Sequence, residues 1–393
     1  MKTFALALCA LMTAATGMAV MPGTDLYVPA VAHSDGFGGA QWRADLWIYN
    51  PSATQAANVT VFLLLRQPNP NPLSQPVTVQ PGDTLYFKDV IGAGLFNQSS
   101  AAGGLHILSD IPVLVTAESY NANVTTSKGT GTSGGFFGGI PASFGIGPGD
   151  STDIIGLDQD ASADTGNWRS NLALVETTGN PVNFVLDRYD SDGTFLGSWA
   201  CDGTNANCAP LGPREVRQFD LVLQNFSPPF GGNQRIHVRV TGGGGALIAA
   251  GSRIDNITGD PSTIDMSGSG RAGTYLCKLE RTDYESPLTL TVDQGAVTAL
   301  DATILFTNVD VPSCGGQVLR LSGPLQQPVY YLDDGSFDFQ VNNPNVEGAN
   351  ITLSVSGTIS VTGGISGNAT VTVASVPGCN GTKAWPFVGA RLP

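Results

Sequence analysis

The chain has 393 residues, among them 50 glycines and 25 prolines, and only 13% of its residues are charged. Long helices need abundant charged and unbranched side chains, so this composition is typical of short strands joined by turns and predicts an all-β protein. The formal net charge of -14 disfavours nucleic acid and anionic membranes as partners, and it suits a soluble extracellular protein.

Residues 1–19 have the pattern of a secretory signal peptide. Lys2 precedes an apolar run at residues 4–12, and Gly17 and Ala19 give the small-x-small form that a signal peptidase accepts. The run is too short to span a membrane, and no later apolar stretch reaches about 18 residues. We therefore expect a secreted protein that does not insert into a membrane. It would be extracellular or at the cell surface, with the periplasm as the alternative.

A repeated motif organises the next part of the chain. WRADL at residues 42–46 returns as WRSNL at residues 168–172, and LHI at residues 105–107 returns as IHV at residues 236–238. The order of these anchors is kept while their spacing drifts, which indicates loops that vary on a shared scaffold. The pattern predicts two β-sandwich repeats at residues 24–128 and 151–265, separated by a glycine-rich connector at residues 129–150.

Runs of alternating or β-branched residues, bounded by turn residues, predict the individual strands. In the first repeat they lie at residues 45–49, 58–62 and 113–117. In the second they lie at residues 171–175, 182–189, 235–240 and 246–254. A linker at residues 266–273 leads to a third, different β domain at residues 274–393, with strands at residues 288–292, 297–300 and 336–341 and within 351–373.

The cysteines favour structural disulfides over a metal site. Cys201 and Cys208 bracket a short polar segment that predicts a local disulfide. Cys314 and Cys379 are the second candidate pair; Cys277 is then left over, or it replaces either partner. No CxxC motif occurs and the three histidines lack ligand spacing, so a zinc site is not expected.

Two groups of residues are candidates for ligand binding. Trp47 and Tyr49 share one face of a strand, where their rings could stack on a sugar or a protein partner; packing against a neighbouring domain is the competing interpretation. Asp158, Asp160 and Asp164 could gather a calcium ion, but the central glycine and final acid of an EF-hand loop are missing. An acidic surface loop is the alternative, and we expect no other cofactor.

The sequence predicts no catalytic centre. A GxSxG pattern occurs at residues 131–135, but a nucleophile elbow requires a buried strand before it and a helix after it, and the pattern lies in a glycine-rich tract. His106 and His237 are repeated strand positions, so we expect them to line or cap a sheet. We therefore expect that the protein is not an enzyme.

The two copies resemble a repeat of unassigned function in secreted bacterial proteins, in which a VP..AH...G....WR.DL..YNP segment leads each Ig-like β domain. The matching residues here are 28–33, 42–46 and 49–51, and residues 255–261 resemble the closing DN.TGDP signature. The likeness covers about residues 24–265, although the second copy has no counterpart of His33. The resemblance implies Ig-like domains and gives no indication of catalysis, and the third domain is similar to small secreted β domains.

These patterns together predict a structural or adhesive protein, with a cell-surface protein or a glycan as its partner. The alternative is a carbohydrate-binding protein that uses Trp47 and Tyr49.

Overall fold

The fold is all-β, as the composition predicts. The computed structural model describes residues 21–127, 129–161, 166–267, 271, 273–281, 287–293, 296–305, 318–331, 335–346, 349–360, 364–374 and 380–392. Strands account for 68% of the structure and helices for 4%, which places the chain in the all-β class. The helical turns are short: 3₁₀ turns at Phe37–Gly39, Ala142–Phe144 and Val222–Asn225, and a π turn at Val90–Gly94. The signal-peptide prediction lies outside the described residues.

The first eight strands form one continuous antiparallel system in the order β4-β3-β6-β1-β2-β5, with β7 on β6 and β8 on β1. Their bounds are β1 Gly23–Asp35, β2 Gln41–Tyr49, β3 Ala57–Leu65, β4 Leu73–Val79, β5 Thr84–Phe87, β6 Ala101–Thr126, β7 Gly129–Gly138 and β8 Ile140–Pro141. The long β6 pairs with β1 and β3 along its first part and with β2 and β7 along its second. The glycine-rich tract thus supplies two strands of this system.

The next eight strands form two four-stranded sheets, ordered β13-β10-β15-β16 and β12-β11-β14-β9. Their bounds are β9 Ser151–Gln159, β10 Trp168–Glu176, β11 Val182–Tyr189, β12 Phe195–Cys201, β13 Val216–Phe219, β14 Gly231–Gly243, β15 Leu247–Asp255 and β16 Pro261–Asp265. WRADL lies on β2, which pairs with β5 and β6; WRSNL lies on β10, which pairs with β13 and β15. The tandem and sandwich interpretation stays a prediction.

The last eight strands form a single antiparallel sheet in the order β20-β19-β18-β17-β24-β23-β22-β21. Their bounds are β17 Gly273–Leu279, β18 Pro287–Asp293, β19 Ala296–Leu305, β20 Val318–Tyr330, β21 Ser336–Val346, β22 Ala349–Ile359, β23 Gly364–Ala374 and β24 Gly381–Arg391. Alternation buries one face: Tyr275, Cys277 and Leu279 lie in a core with Trp385 and Phe387. Of the Thr/Val/Ser-rich stretch expected at residues 351–373, residues 351–359 lie in β22 and residues 364–373 in the adjacent β23.

A buried contact joins β1–β8 to β9–β16, and we call these two groups of strands the first repeat and the second repeat. Tyr27 and Leu64 pack there with Val175, Val216 and Ile248, all of them almost completely buried. The contact also fixes the position of one repeat relative to the other, because close-packed side chains have few alternative arrangements.

His106 lies in the same contact and is only 2% exposed. Its ring stacks between Tyr27, at 4.4 Å between centroids, and Phe62, at 5.2 Å. Its Nε2 lies 2.8 Å from Asp25 Oδ1, and its Nδ1 lies 3.2 Å from Nη1 of Arg214 in the second repeat. His106 therefore lines the inter-repeat contact, with a partner from each side.

Candidate functional site: an aromatic face on the first repeat

Four neighbouring strands, in the order β5-β2-β6-β7, carry the candidate site on their outer side. Alternation along β2 buries Ala44, Leu46 and Ile48 in the core, and it turns Trp47 and Tyr49 to the opposite face. The strand register then selects their neighbours. Trp47 faces Tyr86 on β5 and Thr116 on β6, while Glu118 on β6 faces Phe136 on β7.

The rings of this surface form a row. Trp47 stacks on Tyr86, with 5.0 Å between centroids and 21° between planes, and Phe136 leans against Trp47 at 6.1 Å. Tyr86 is 51% exposed, Phe136 55% and Tyr49 37%. We call Trp47, Tyr49, Tyr86 and Phe136 the aromatic face. Because Trp47 is stacked on its neighbours, the outer rings of Tyr86 and Phe136 offer most of the surface that a ligand would contact.

Two carboxylates lie beside the rings. Asp45 and Glu118 are direct partners across β2 and β6. Asp45 is buried and accepts hydrogen bonds from Tyr86 Oη at 2.5 Å, Tyr120 Oη at 3.1 Å and the Asp89 backbone N–H at 2.8 Å. The Asp45 carboxylate therefore holds the side chains of Tyr86 and Tyr120 and the backbone at Asp89 in place.

These contacts change the acidity of their neighbours. Hydrogen bonding to Asp45, with a smaller effect of burial, raises the pKa of Tyr86 to about 12. Burial and then the charge of Asp45 raise the pKa of Tyr120 well above its usual range. Burial, followed by the charge of Asp45, also raises the pKa of Glu118. The phenols of Tyr86, on the face, and of Tyr120, buried beside it, therefore stay protonated at neutral pH, and Glu118 adds a half-buried carboxyl group.

Charged groups border the face at the end of β5. Asp89 lies 2.8 Å from His33 Nδ1 and 3.9 Å from Arg43 Nε. Its backbone has a positive φ of 50°, which its short polar side chain tolerates. The result is an apolar strip of rings flanked by polar groups, which suits a ligand with both an apolar face and hydroxyl or amide groups.

Sequence reasoning identified Trp47 and Tyr49 but missed Tyr86, Phe136 and Glu118. These three lie on other strands, and only the register of β5, β6 and β7 brings them beside Trp47. For Tyr86 the sequence did contain a local signal. This residue lies between Leu85 and Phe87, which pack on the core, so strand alternation turns its side chain to the outer face. Phe136 lies in a glycine-rich tract that shows no alternation of its own.

The calcium candidates are engaged in other contacts. Asp158 accepts the Asn233 backbone N–H at 2.6 Å and pairs with Arg253 at 2.7 Å. Asp160 accepts the backbone N–H groups of Asn167 and Trp168. Asp164 lies outside the described residues. Within the residues that are described, no group of three or more histidine, cysteine or acidic side chains is placed to hold a metal ion.

Cys201 and Cys208 form the expected disulfide, with 4.6 Å between their Cα atoms. Cys277 is a free, buried thiol on β17, and burial raises its pKa to about 12. Cys314 and Cys379 lie outside the described residues, so their pairing stays a prediction.

Comparison with models of known protein families, with curated proteins and with solved structures finds no match. Among the described residues, no helix combines the length and the apolar character needed to cross a membrane. The site must therefore be interpreted from its own geometry.

Proposed function

We propose that this chain is a secreted, non-catalytic protein of structural or adhesive type, which acts at or outside the cell surface. The observation that carries the proposal is the aromatic face, where Tyr86 and Phe136 are each more than half exposed. Clustered exposed rings on a folded surface commonly mark a contact with a partner, because burying them removes apolar area from water. The second repeat has Ala173 and Val175 where Trp47 and Tyr49 stand, so the first repeat would supply the contact.

Carbohydrate is the ligand class that a specific observation favours as the second candidate function. Glu118 lies directly between the strand of Trp47 and that of Phe136. A sugar presents an apolar C–H face to rings and hydroxyl groups to a carboxyl, and this surface offers both kinds of group side by side. The protein would then be a carbohydrate-binding protein whose ligand lies across β2, β6 and β7.

A non-catalytic role is supported by how the polar groups are used. Asp45 accepts three hydrogen bonds from Tyr86, Tyr120 and Asp89, which leaves it poorly suited to exchange protons with a substrate. Ser133 of the GxSxG pattern lies within strand β7, not at a strand-to-helix turn, and its hydroxyl donates to the carboxylate of Asp260 at 2.6 Å rather than to a histidine.

A glycan array and a cell-surface retention assay on the secreted protein, each with and without calcium, test the proposal. We expect Tyr86→Ala/Phe136→Ala to weaken partner binding by about tenfold or more, since two exposed anchors are removed. Phe195→Ala is the matched control, because Phe195 is also 55% exposed but lies on β12 of the second repeat. Equal binding by the double variant and the control would rule out the aromatic face as the contact surface.

A glycan bound by the parent protein and lost in the double variant would select the carbohydrate-binding function. Retention on the native surface with a blank array, lost in the same variant, would select a protein partner.

A further inference from the structure

A cleft of about 520 Å³ lies between the two repeats, and none of the four residues of the aromatic face lines it. One wall comes from β1 and β2, with Ala30, Ala32 and Trp42; the other is the outer side of the β13-β10-β15-β16 sheet, with Asn171 and Ser252. We call it the inter-repeat cleft. Its volume is that of a small-molecule site, and interfaces between domains are common positions for such sites.

Small side chains and one indole ring make up much of the apolar part of the cleft. Four alanines, at positions 30, 32, 173 and 250, line the cleft together with the indole of Trp42. A Cβ atom at Gly36 would lie 2.3 Å from Trp42 Nε1, so only glycine leaves room for the ring in this position. Gly36 therefore allows the indole to lie directly against the backbone between β1 and β2.

The polar part of the cleft is rich in groups that both donate and accept. Asn171 and Ser252 are direct partners across β10 and β15, and Ser252 faces Thr263 on β16. Asn171 Oδ1 accepts the Leu221 backbone N–H at 3.1 Å, and its amide NH₂ can donate to a ligand. Ser34 adds a hydroxyl group from the first repeat, and Ser119, whose hydroxyl donates to the Ala30 carbonyl at 2.7 Å, can still accept a hydrogen bond. Such a set matches the hydroxyl groups of a ligand, each of which can donate one hydrogen bond and accept others.

The charges around the cleft balance one another. Arg169 is 9% exposed and donates to the Asn256 side-chain oxygen, and burial lowers its pKa. At the mouth, Arg66 donates to Gln218 Oε1 at 2.5 Å and lies 3.6 Å from Asp220. Together with Asp35, the lining holds two arginines and two aspartates, which favours a neutral ligand over an ionic one.

We propose that the inter-repeat cleft binds a neutral sugar of one or two rings, with the C–H face of a ring against Trp42 and its hydroxyl groups on Asn171, Ser252 and Thr263. A short peptide fits less well, because the main-chain groups of β10 and β15 in the cleft wall are already paired within the sheet. This site is independent of the aromatic face.

Isothermal titration of the secreted protein with glucose, galactose, mannose, N-acetylglucosamine, cellobiose and lactose tests the proposal. We expect at least one of these sugars to bind at a single site, and Ser252→Phe, which fills the cleft, to raise its Kd by about tenfold or more. Ser74→Phe on the exposed strand β4 is the matched control, and it should bind as the parent does.

Two further variants make the result decisive. Thr263→Phe narrows the same cleft from the edge strand β16, and it replaces Ser252→Phe if that variant does not fold. Tyr86→Ala/Phe136→Ala should leave titration of the cleft unchanged. The proposal is overturned if no sugar of the panel binds, or if binding survives in the filled cleft. Sugar binding lost only in Tyr86→Ala/Phe136→Ala would instead assign it to the aromatic face.

Discussion

At the scale of single residues, Asp45 determines the state of the aromatic face although it is nearly inaccessible to solvent. It is the shared acceptor for Tyr86, Tyr120 and the backbone of Asp89, so one carboxylate orients two rings and the turn that follows β5. Hydrogen bonds to an ionised acceptor are stronger than neutral ones, which explains how an exposed ring such as Tyr86 is held in one position.

Asp45→Asn is expected to lower the pKa of Tyr86 from about 12 towards its ordinary value of 10.0, because the accepting charge is lost. In the parent, the folded state holds the phenol proton more tightly than the unfolded state. Its stabilising contribution is therefore present below pH 10 and is lost as pH rises through about 12. Phenolate absorbance during an alkaline titration measures the shift, and Tyr86→Phe identifies the transition that belongs to this residue. An unchanged Tyr86 transition in Asp45→Asn would contradict the role assigned to Asp45.

The fourth position of the WRADL motif, which Asp45 occupies, makes an equivalent contact in both copies and so explains why the motif recurs. The fourth residue, Asp45 in one copy and Asn171 in the other, accepts the backbone N–H of Asp89 and Leu221 respectively. Both of these residues have a positive φ and follow the short strands β5 and β13. The sequence revealed the recurrence, because it is local, whereas its cause is a contact with a residue distant along the chain.

At the scale of strands, what could be predicted was likewise local. The alternation of residues 45–49 and 182–189 correctly placed β2 and β11, since side-chain period follows from strand geometry. Pairing could not be predicted in this way. Phe136 joins the aromatic face only because β7 pairs with β6, and Gln218 reaches the inter-repeat cleft only because the β10 sheet packs beside β1. Long-range register depends on the packing of the whole fold, which no single window of sequence contains.

The two repeated histidines allow a test at this scale, because their strands have the same motif but different surroundings. His106→Gln removes a ring stacked between Tyr27 and Phe62 and disturbs contacts with Asp25 and Arg214. We expect the free energy of unfolding to fall by about 1 to 3 kcal/mol, measured by equilibrium urea denaturation.

His237→Gln is the matched control. His237 also contacts an aspartate, Asp153 at 2.9 Å, but its side chain is 23% exposed and Arg235 pairs with the same carboxylate. Its replacement should cost less than about 1 kcal/mol. If the free energy of unfolding falls equally in both variants, the buried position of His106 in the inter-repeat contact adds no stability beyond that of an exposed histidine–aspartate pair.

At the scale of the whole molecule, the buried contact between the repeats implies that they unfold together. Val216 and Val175 lie at the apolar centre of the contact. Hydrogen bonds between the repeats surround this centre, among them the one that Tyr27 Oη donates to the Thr177 carbonyl at 2.9 Å. Opening one repeat alone would expose this surface and leave buried polar groups unpaired, and both cost free energy. A rigid pair also fixes the distance between the aromatic face and the inter-repeat cleft.

Val216→Ala tests this coupling, since it removes two methyl groups from the contact and should lower stability by about 2 kcal/mol. In native-state hydrogen exchange, the most protected amides of β1–β8 and of β9–β16 should both exchange about thirtyfold faster, while those of β17–β24 keep their rates. Val355→Ala, in the separate core of the last sheet, should instead speed exchange in β17–β24 and leave the rates of β1–β16 unchanged. Faster exchange confined to β9–β16 in Val216→Ala would mean that the repeats unfold independently, and the inter-repeat cleft would then lie between two bodies that can separate.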